Sequence, residues 1–451
     1  MPLKNECYPL EITAMTHEGA GVGRLPEGMA VFVPAAAVGD LALVRLVKVL
    51  KNHCYGKIEQ LLRPSPDRIA PDCPVSRRCG GCVFRHVSYS AEQRYKQGFV
   101  EDNLRRIGGI QLAVEPLEPS PQVDGYRNKA QYPVQQRDGR LVAGFYAPRT
   151  HQVVDCRDCR LQPPLFGEVL RGTLALLQAF QVPAYDEQAH TGLLRHIYLR
   201  QGTRTGQVML CLVVNGSGLP RERELVARLR EQFPQLASIQ LNQNEQNTNV
   251  ILGPRTRVLW GSDAVADRLC GLEVFLSPEA FYQVNTPAAE RLYGIAAEYA
   301  GLTGQEILLD LYCGAGTIGL SMADRCRQVI GVEIVPQAVE NAWENARRNG
   351  VENARFLCGD AAQAALQLEE EGITPDVVVL DPPRKGCDSA LLHTVVRMSP
   401  RRVVYISCNS ATLARDLACL AQLGYQTRRC RPVDLFPRTA HVEAVALAER
   451  V

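Results

Sequence analysis

The chain reads as an α/β protein in three parts: a small all-β barrel over residues 1–62, an α+β middle over 63–271 and a doubly wound domain over 272–451. Residues 3–62 alternate apolar and polar side chains without a helical period, with Gly19, Gly21 and Gly23 in one turn and Gly39-Asp40 in another. That is the pattern of short strands joined by tight turns. From about Leu272 apolar strand-like runs alternate with helical periods, the signature of a parallel sheet with crossover helices. At 451 residues the chain is also too long for one ordinary core.

Barrels of oligonucleotide-binding type hold nucleic acid through exposed loops, which makes His17, Arg24, Lys48, Lys51 and Lys57 candidate contacts. Arg63-Pro64-Ser65-Pro66 marks the boundary, and a cysteine-rich loop follows to about residue 85. Residues 90–108 read as one helix, with Ser90 as N-cap and Gly108-Gly109 as stop. Short β runs follow at 131–134, 141–146, 152–155, 196–200, 208–214 and 238–241, interrupted by one helix over 221–232. In the last part the strands are 307–311, 328–332, 354–357, 376–380 and 402–407, and 336–349 is a helix.

With 46% hydrophobic and 22% charged residues, the composition is that of a soluble globular protein. No stretch of about 18 uninterrupted apolar residues suits a membrane span, and Met1-Pro2-Leu3-Lys4-Asn5-Glu6 lacks an apolar signal core, so the expectation is a cytoplasmic monomer away from membranes. In a reducing compartment sixteen cysteines argue for metal binding or catalysis in part of the set. Those scattered singly, such as Cys54 and Cys211, read as small buried hydrophobes. The net charge of +2 is uneven: residues 63–160 carry 16 Lys and Arg against 11 Asp and Glu, so a polyanion would dock there if anywhere, the alternative on charge alone being an ordinary solvated surface.

Asp310-Leu311-Tyr312-Cys313-Gly314-Ala315-Gly316-Thr317-Ile318-Gly319 is a glycine-rich strand-to-helix turn suited to a nucleotide-like cofactor, flanked by Tyr312 and Thr317. Glu333 ends the next strand, 19 residues after Gly314, where a carboxylate accepts ribose hydroxyls. Alone this fits a dinucleotide dehydrogenase as well as an S-adenosylmethionine enzyme. Asp360 after strand three suits an adenine amino group, and Asp381-Pro382-Pro383-Arg384 ends strand four, a loop that a dehydrogenase does not need.

Ser407-Cys408-Asn409 closes the last apolar run, so a thiol stands at a strand end where open α/β sheets place their ligands. Methylating position 5 of uracil needs such a thiol: addition at C6 makes C5 nucleophilic, and a base then removes the C5 proton. Cys408 and Glu443 fit these two roles, with His441 as a loop-shaping neighbour. Cytosine chemistry on RNA uses a cysteine after the strand-four proline, where this chain has Arg384.

Cys73, Cys79 and Cys82 stand in one ten-residue loop whose glycines let the backbone fold around a bulky centre. With Cys156 or Cys159 as the fourth ligand, the spacing favours an iron-sulfur cluster over a zinc site, and four ligands favour a structural or RNA-positioning role over radical chemistry.

Together these motifs resemble the bacterial RNA (uracil-5-)-methyltransferases, in particular the 23S ribosomal RNA branch that joins a TRAM barrel, a cysteine-bound [4Fe-4S] cluster and a Rossmann-like class I methyltransferase domain. CxxxxxCGGC at 73–82, the 310–319 loop, DPPRKG at 381–386 and SCNSATLARDL at 407–417 carry the resemblance over essentially the whole chain. It implies that Gln283, Tyr312, Glu333 and Asp381, with Thr317 and Asp360, contact S-adenosylmethionine. It also implies Cys408 as nucleophile, Glu443 as base, Cys159 as fourth cluster ligand and 23S rRNA as partner. The alternatives are a transfer-RNA uracil-5 methyltransferase, an RNA-binding or assembly protein with a vestigial methyltransferase domain, and an NAD oxidoreductase.

Overall fold

The computed structural model describes residues 2–451. The first six strands, β1 (Cys7–Glu11), β2 (Ala14–Met15), β3 (Ala20–Arg24), β4 (Ala30–Pro34), β5 (Leu41–Val49) and β6 (His53–Arg63), form one sheet in the order β1-β5-β6-β4-β3-β2. Alternation decides its inner face: Val31 and Val33 on β4 and Val44 and Leu46 on β5 are fully buried. Buried Asp40 ties this sheet to the next segment, accepting from the Ser65 amide at 2.9 Å and from both edges of the Arg68 guanidinium at 2.7 Å.

Helix α1 (Tyr89–Arg106) is capped by Ser88, whose hydroxyl accepts from the Ala91 amide at 3.2 Å. The expected cap, Ser90, lies inside the first turn, where its hydroxyl meets that of Ser88. Strands β7 (Lys129–Arg137), β8 (Arg140–Tyr146), β9 (Val153–Asp155), β10 (Leu194–Gln201), β11 (Val208–Val214), β12 (Leu236–Gln243) and β13 (Arg255–Gly261) build a seven-stranded sheet. Two helices accompany it, α2 (Pro164–Ala179) and α3 (Glu222–Gln232), where the sequence suggests one. Central β11 is buried at all seven positions because both faces are covered. Leu210 and Leu212 pack with Phe166 and Leu170 of α2, while Met209 and Cys211 join the core of the C-terminal part.

A hairpin of β14 (Val265–Leu269) and β15 (Leu272–Leu276) leads into α4 (Thr286–Ala300). Then β16 (Ile307–Leu311), α5 (Thr317–Leu320), β17 (Gln328–Glu333), α6 (Pro336–Arg348), β18 (Ala354–Cys358), α7 (Ala361–Glu370), β19 (Val377–Leu380), α8 (Ser389–Arg397), β20 (Arg402–Ser407) and α9 (Ser410–Gln422) alternate, ending in β21 (Tyr425–Val433) and β22 (Glu443–Arg450). The sheet order is β18-β17-β16-β19-β20-β22-β21, parallel from β18 to β20 and antiparallel across the last pairs. The chain winds outward from β16 to β18 and then returns to the other side of β16, so the loops after β16 and β19 straddle the switch point where such sheets bind ligands. No helix among the described residues is long and apolar enough to cross a membrane.

Candidate active site

Sheet register brings the thiol and the glutamate together. Strand β22 runs antiparallel to β20 with Ser407 opposite Ala444, and the same register carried one residue further sets Cys408 against Glu443. Asn409, the N-cap of α9, follows the thiol and accepts from the Ala411 amide at 3.1 Å, which fixes the turn. The same side chain donates to the Arg384 carbonyl at 3.1 Å, and Thr412 donates to that carbonyl at 3.3 Å, so the 381–384 loop is laced to the Cys408 turn. Behind it, buried Asp416 accepts from the Cys387 amide at 2.8 Å and the Tyr405 hydroxyl at 2.5 Å.

The charges in this pocket act on one another. Glu443 is 6% exposed, and burial, reinforced by Asp381 and opposed by Arg384, pushes its carboxyl up to about 8. Desolvation alone pushes Asp381 up to about 7. The half-exposed Cys408 thiol is raised by burial and by the Glu443 charge, while Arg384 works in the opposite direction. His441 lies over Arg384, which donates to its ring at 3.3 Å, and burial with the Arg384 charge lowers its basicity.

The glycine-rich turn after β16 is organised around two carboxylates. Glu333 accepts from the Gly314 amide at 3.0 Å and the Val335 amide at 2.9 Å, which presents a fixed carboxylate at the mouth of the turn. Buried Asp310 accepts from the Gly319 amide at 2.9 Å, its other oxygen has no partner, and burial pushes it up to about 7. Gly316 has φ +78°, and a Cβ there would stand 3.0 Å from the buried Phe356 ring, so only glycine lets the turn pack this closely on the core and form the cradle above it. Thr317 meets the Tyr293 hydroxyl at 3.2 Å. Tyr312, also at positive φ, packs beside Cys387. Gln283 enters from the segment before α4, its carbonyl held by the Asn128 amide group at 2.9 Å. Asp360 caps α7 through one oxygen, accepting from Ala362 at 3.0 Å, which leaves the other for a ligand.

Cys73, Cys79, Cys82 and Cys159 are half-buried free thiols. Burial, then the charges of Cys159 and Cys73, raise the Cys79 thiol; burial pushes Cys82 up to about 12, with Cys159 and Cys79 adding to it against Arg85. Cys159, lowered by a hydrogen bond with Cys156, is the thiol felt by both Cys79 and Cys82. Among the described residues no set of three or more Cys, His, Asp or Glu is gathered to metal-holding distance. The amides of Val83 and Phe84, directly after Cys82, donate to the Arg438 carbonyl at 2.9 and 3.2 Å, which joins this loop to the segment leading to Glu443.

Several working parts escape the motifs. Lys96 of α1 is fully buried and donates to Glu92 at 2.8 Å and Asp434 at 2.7 Å, and Glu92 accepts from the Arg438 amide at 2.6 Å. An alternating basic and acidic residue on a polar helix gives no sign of this. Asp416 and the unpartnered oxygen of Asp310 are equally silent, although an acid inside an apolar strand such as 307–311 is itself a signal.

The sequence matches the profile described as tRNA (Uracil-5-)-methyltransferase over residues 229–451 and that of the TRAM domain over 3–58. It is similar to an uncharacterised RNA methyltransferase of Halalkalibacterium halodurans, 44% identical over 99% of this chain and 97% of the relative. Another, from Clostridium tetani, is 42% identical over 98% and 96%. Among solved structures, the Pyrococcus abyssi tRNA (uracil-54, C5)-methyltransferase in complex with S-adenosyl-L-homocysteine superposes with a TM-score of 0.78 at 27% identity, covering 97% of this chain and 98% of that one.

Proposed function

We propose, from the premise that this chain belongs to the tRNA (uracil-5-)-methyltransferase family, that it methylates C5 of a uridine in 23S ribosomal RNA through a transient bond to Cys408. The chain is an S-adenosylmethionine-dependent RNA methyltransferase. The observation that carries the mechanism is the β20–β22 register that sets Cys408 beside Glu443, with Asp381 and Arg384 around them.

The Gly316 cradle, the fixed Glu333 carboxylate and the partnerless Asp310 oxygen fit S-adenosylmethionine, which when bound supplies an electrophilic methyl group. Glu333 would take the ribose hydroxyls and Asp360 the adenine edge, with Gln283, Tyr312, Gly314, Gly316, Thr317 and Asp381 lining the rest. The target base leaves its stack to reach the pocket. The Cys408 thiolate adds to C6 of the uracil, forming the S–C6 bond and leaving C5 nucleophilic. Arg384 favours the thiolate. Once C5 carries the methyl group, the Glu443 carboxylate takes the C5 proton. The C5–H electrons restore the C5=C6 bond as the S–C6 bond breaks, and the thiolate is free again. A carboxyl raised to about 8 is basic enough to take that proton near neutral pH.

Three half-buried thiols in one loop, with Cys159 close enough to raise both Cys79 and Cys82, the Gly81 amide donating to the Cys79 sulfur at 3.4 Å and Arg85 beside Cys82, fit the donor chemistry of a [4Fe-4S] cluster on Cys73, Cys79, Cys82 and Cys159. The cluster would brace the loop and take no part in methyl transfer. The enzyme would act in the cytoplasm as a monomer.

The likeness to a tRNA enzyme over nearly the full length of both chains supports a second reading, a transfer-RNA substrate. Methyl transfer from labelled S-adenosylmethionine to unmodified 23S and transfer RNA transcripts, with mapping of the methylated position, decides between them. Methylation of transfer RNA alone overturns the ribosomal reading, and methylation of neither RNA overturns both.

A further inference from the structure

Two cavities, of about 470 and about 340 Å³, adjoin on the central seven-stranded sheet and share Tyr146, His151, Glu187, Arg195 and His196. They fall within the ~300–1,000 Å³ typical of small-ligand sites. No residue of the Cys408 pocket lines them.

Their walls hold buried polar atoms that the protein leaves unpaired. His196 is 7% exposed with Nδ1 unpartnered, and burial with the Arg195 charge brings it down to about 4, so its ring is neutral. Lys129 is brought down to about 8 by burial and by Arg200 and Arg127, so the charges acting on it are themselves cations. Arg127 Nε is buried and without a partner. The occupant this calls for carries acceptors and negative charge. Beside these donors the Tyr146 and His151 rings lie 5.3 Å apart, both anchored on Glu187: the Tyr146 hydroxyl donates to it at 3.1 Å and His151 Nδ1 lies 2.7 Å away. Aromatic rings next to cations suit a nucleotide: any unstacked base can lie on the rings, and its phosphate pairs with Lys or Arg. Glu187 repels phosphate from the ring end, which sets the direction.

The cavities also lie on a path to the reacting thiol. The Arg127 guanidinium is 6.0 Å from the Phe436 ring, Phe436 is 6.0 Å from His441, and His441 touches Arg384. Asn128, next in the chain, holds Gln283.

We propose that these cavities receive a second unstacked nucleotide of the RNA strand that brings the target uridine to Cys408, its base on Tyr146 and His151 and its phosphate between Arg127 and Lys129. The inference rests on the reading of the chain as an RNA uracil-5 methyltransferase. Its test uses the full chain with an equimolar pool of unmodified 23S and transfer RNA transcripts. Lys129→Met and Tyr146→Ala are each expected to raise the KM for RNA about tenfold, with kcat at saturating RNA within about twofold and cofactor affinity unchanged. Lys129→Met lowers the slope of log KM against log salt by about one, as a lost phosphate contact does. Tyr146→Phe, which keeps the ring, restores the parental KM. Independently of any variant, 2-aminopurine placed within three nucleotides of the target brightens at one position when the parental chain binds. An unchanged KM in both variants, a fall in kcat alone, or no brightening at any position overturns the inference and leaves uracil methylation standing. A parental chain that methylates neither RNA overturns both.

Discussion

The Cys408 pocket and the cysteine loop at 73–82 each bring thiols and charges together, but they are held in different ways. In the pocket, backbone does the placing: Ser407 is opposite Ala444, Val433 opposite Glu443, and the Arg384 carbonyl takes two side-chain donors. In the loop the backbone bonds are local turns, such as Ser76 to Cys73 and Cys79 to Val75, and the Cys79 and Cys82 thiols are raised first by burial and only then by the neighbouring thiols. In the proposed mechanism Cys408 and Glu443 act on adjacent carbons of one base, which needs a fixed separation between them, so a sheet serves that pair. If the loop thiols hold the proposed cluster, the cluster itself would complete their ordering.

Substitutions test this contrast, beginning with the most damaging. Cys408→Ala is expected to lower methyl transfer at least about 10³-fold while cofactor binding by calorimetry stays parental; retained turnover would break the assignment of the pocket. Glu443→Gln is expected to cost about 10²- to 10⁴-fold and to accumulate an RNA–protein adduct on denaturing gels. Normal turnover without adduct means that another group is the base.

The same variant has a signature in pH. Glu443 and Asp381 are raised on folding, so the folded state binds more protons than the unfolded one, and the stability they contribute is present at low pH and lost as pH rises through about 7 and 8. Glu443→Gln removes one of these terms, so its melting temperature gains on the parent by a few degrees between pH 6 and 9; an unchanged gap contradicts the buried charge. Activity of the parent rises across the same range, because both the base and the raised Cys408 thiol must ionise.

Asp416→Asn weakens hydrogen bonds of the charge-assisted kind, worth about 1.5–3 kcal/mol each. The expected result is a kcat reduced about tenfold, with a lower melting temperature and unaltered cofactor affinity. Equal activity would show that the 381–387 loop does not depend on this brace. The smallest effect on chemistry belongs to the other region. Cys82→Ser is expected to lose iron and visible absorbance under anaerobic preparation, whereas Cys156→Ser keeps both, and each leaves kcat on saturating RNA within a few-fold. Iron retained in Cys82→Ser removes the cluster from the proposal.

The sequence made the parallel strands readable because each is a run of apolar residues buried on both faces, and the chemistry stands at their ends, as Asp381 after Val377–Leu380 does. Helix α2 was hidden. Pro163-Pro164 reads as a loop, Gly167 and Gly172 weaken the helical propensity, and burial of most of its surface leaves few charges to mark a polar face. Strand β21 carries Arg428, Arg429 and Arg431 on the sheet edge, so it lacks an apolar signature. Motif spacing could nominate Glu443, but its distance from Cys408 is a matter of pairing between strands, which only the folded sheet supplies. Asp416 and Lys96 act through partners far along the chain, and one sequence does not display such pairs.

The Arg438 carbonyl, clasped by Val83 and Phe84, sits beside the buried Glu92–Lys96–Asp434 cluster. Opening the loop after Cys82 would release that carbonyl, and releasing the segment around Arg438 would expose three buried charges at once. One local opening event is therefore expected to serve both regions, with the amides of 83–84 and 439–443 exchanging their hydrogens at a common free energy in native-state hydrogen exchange.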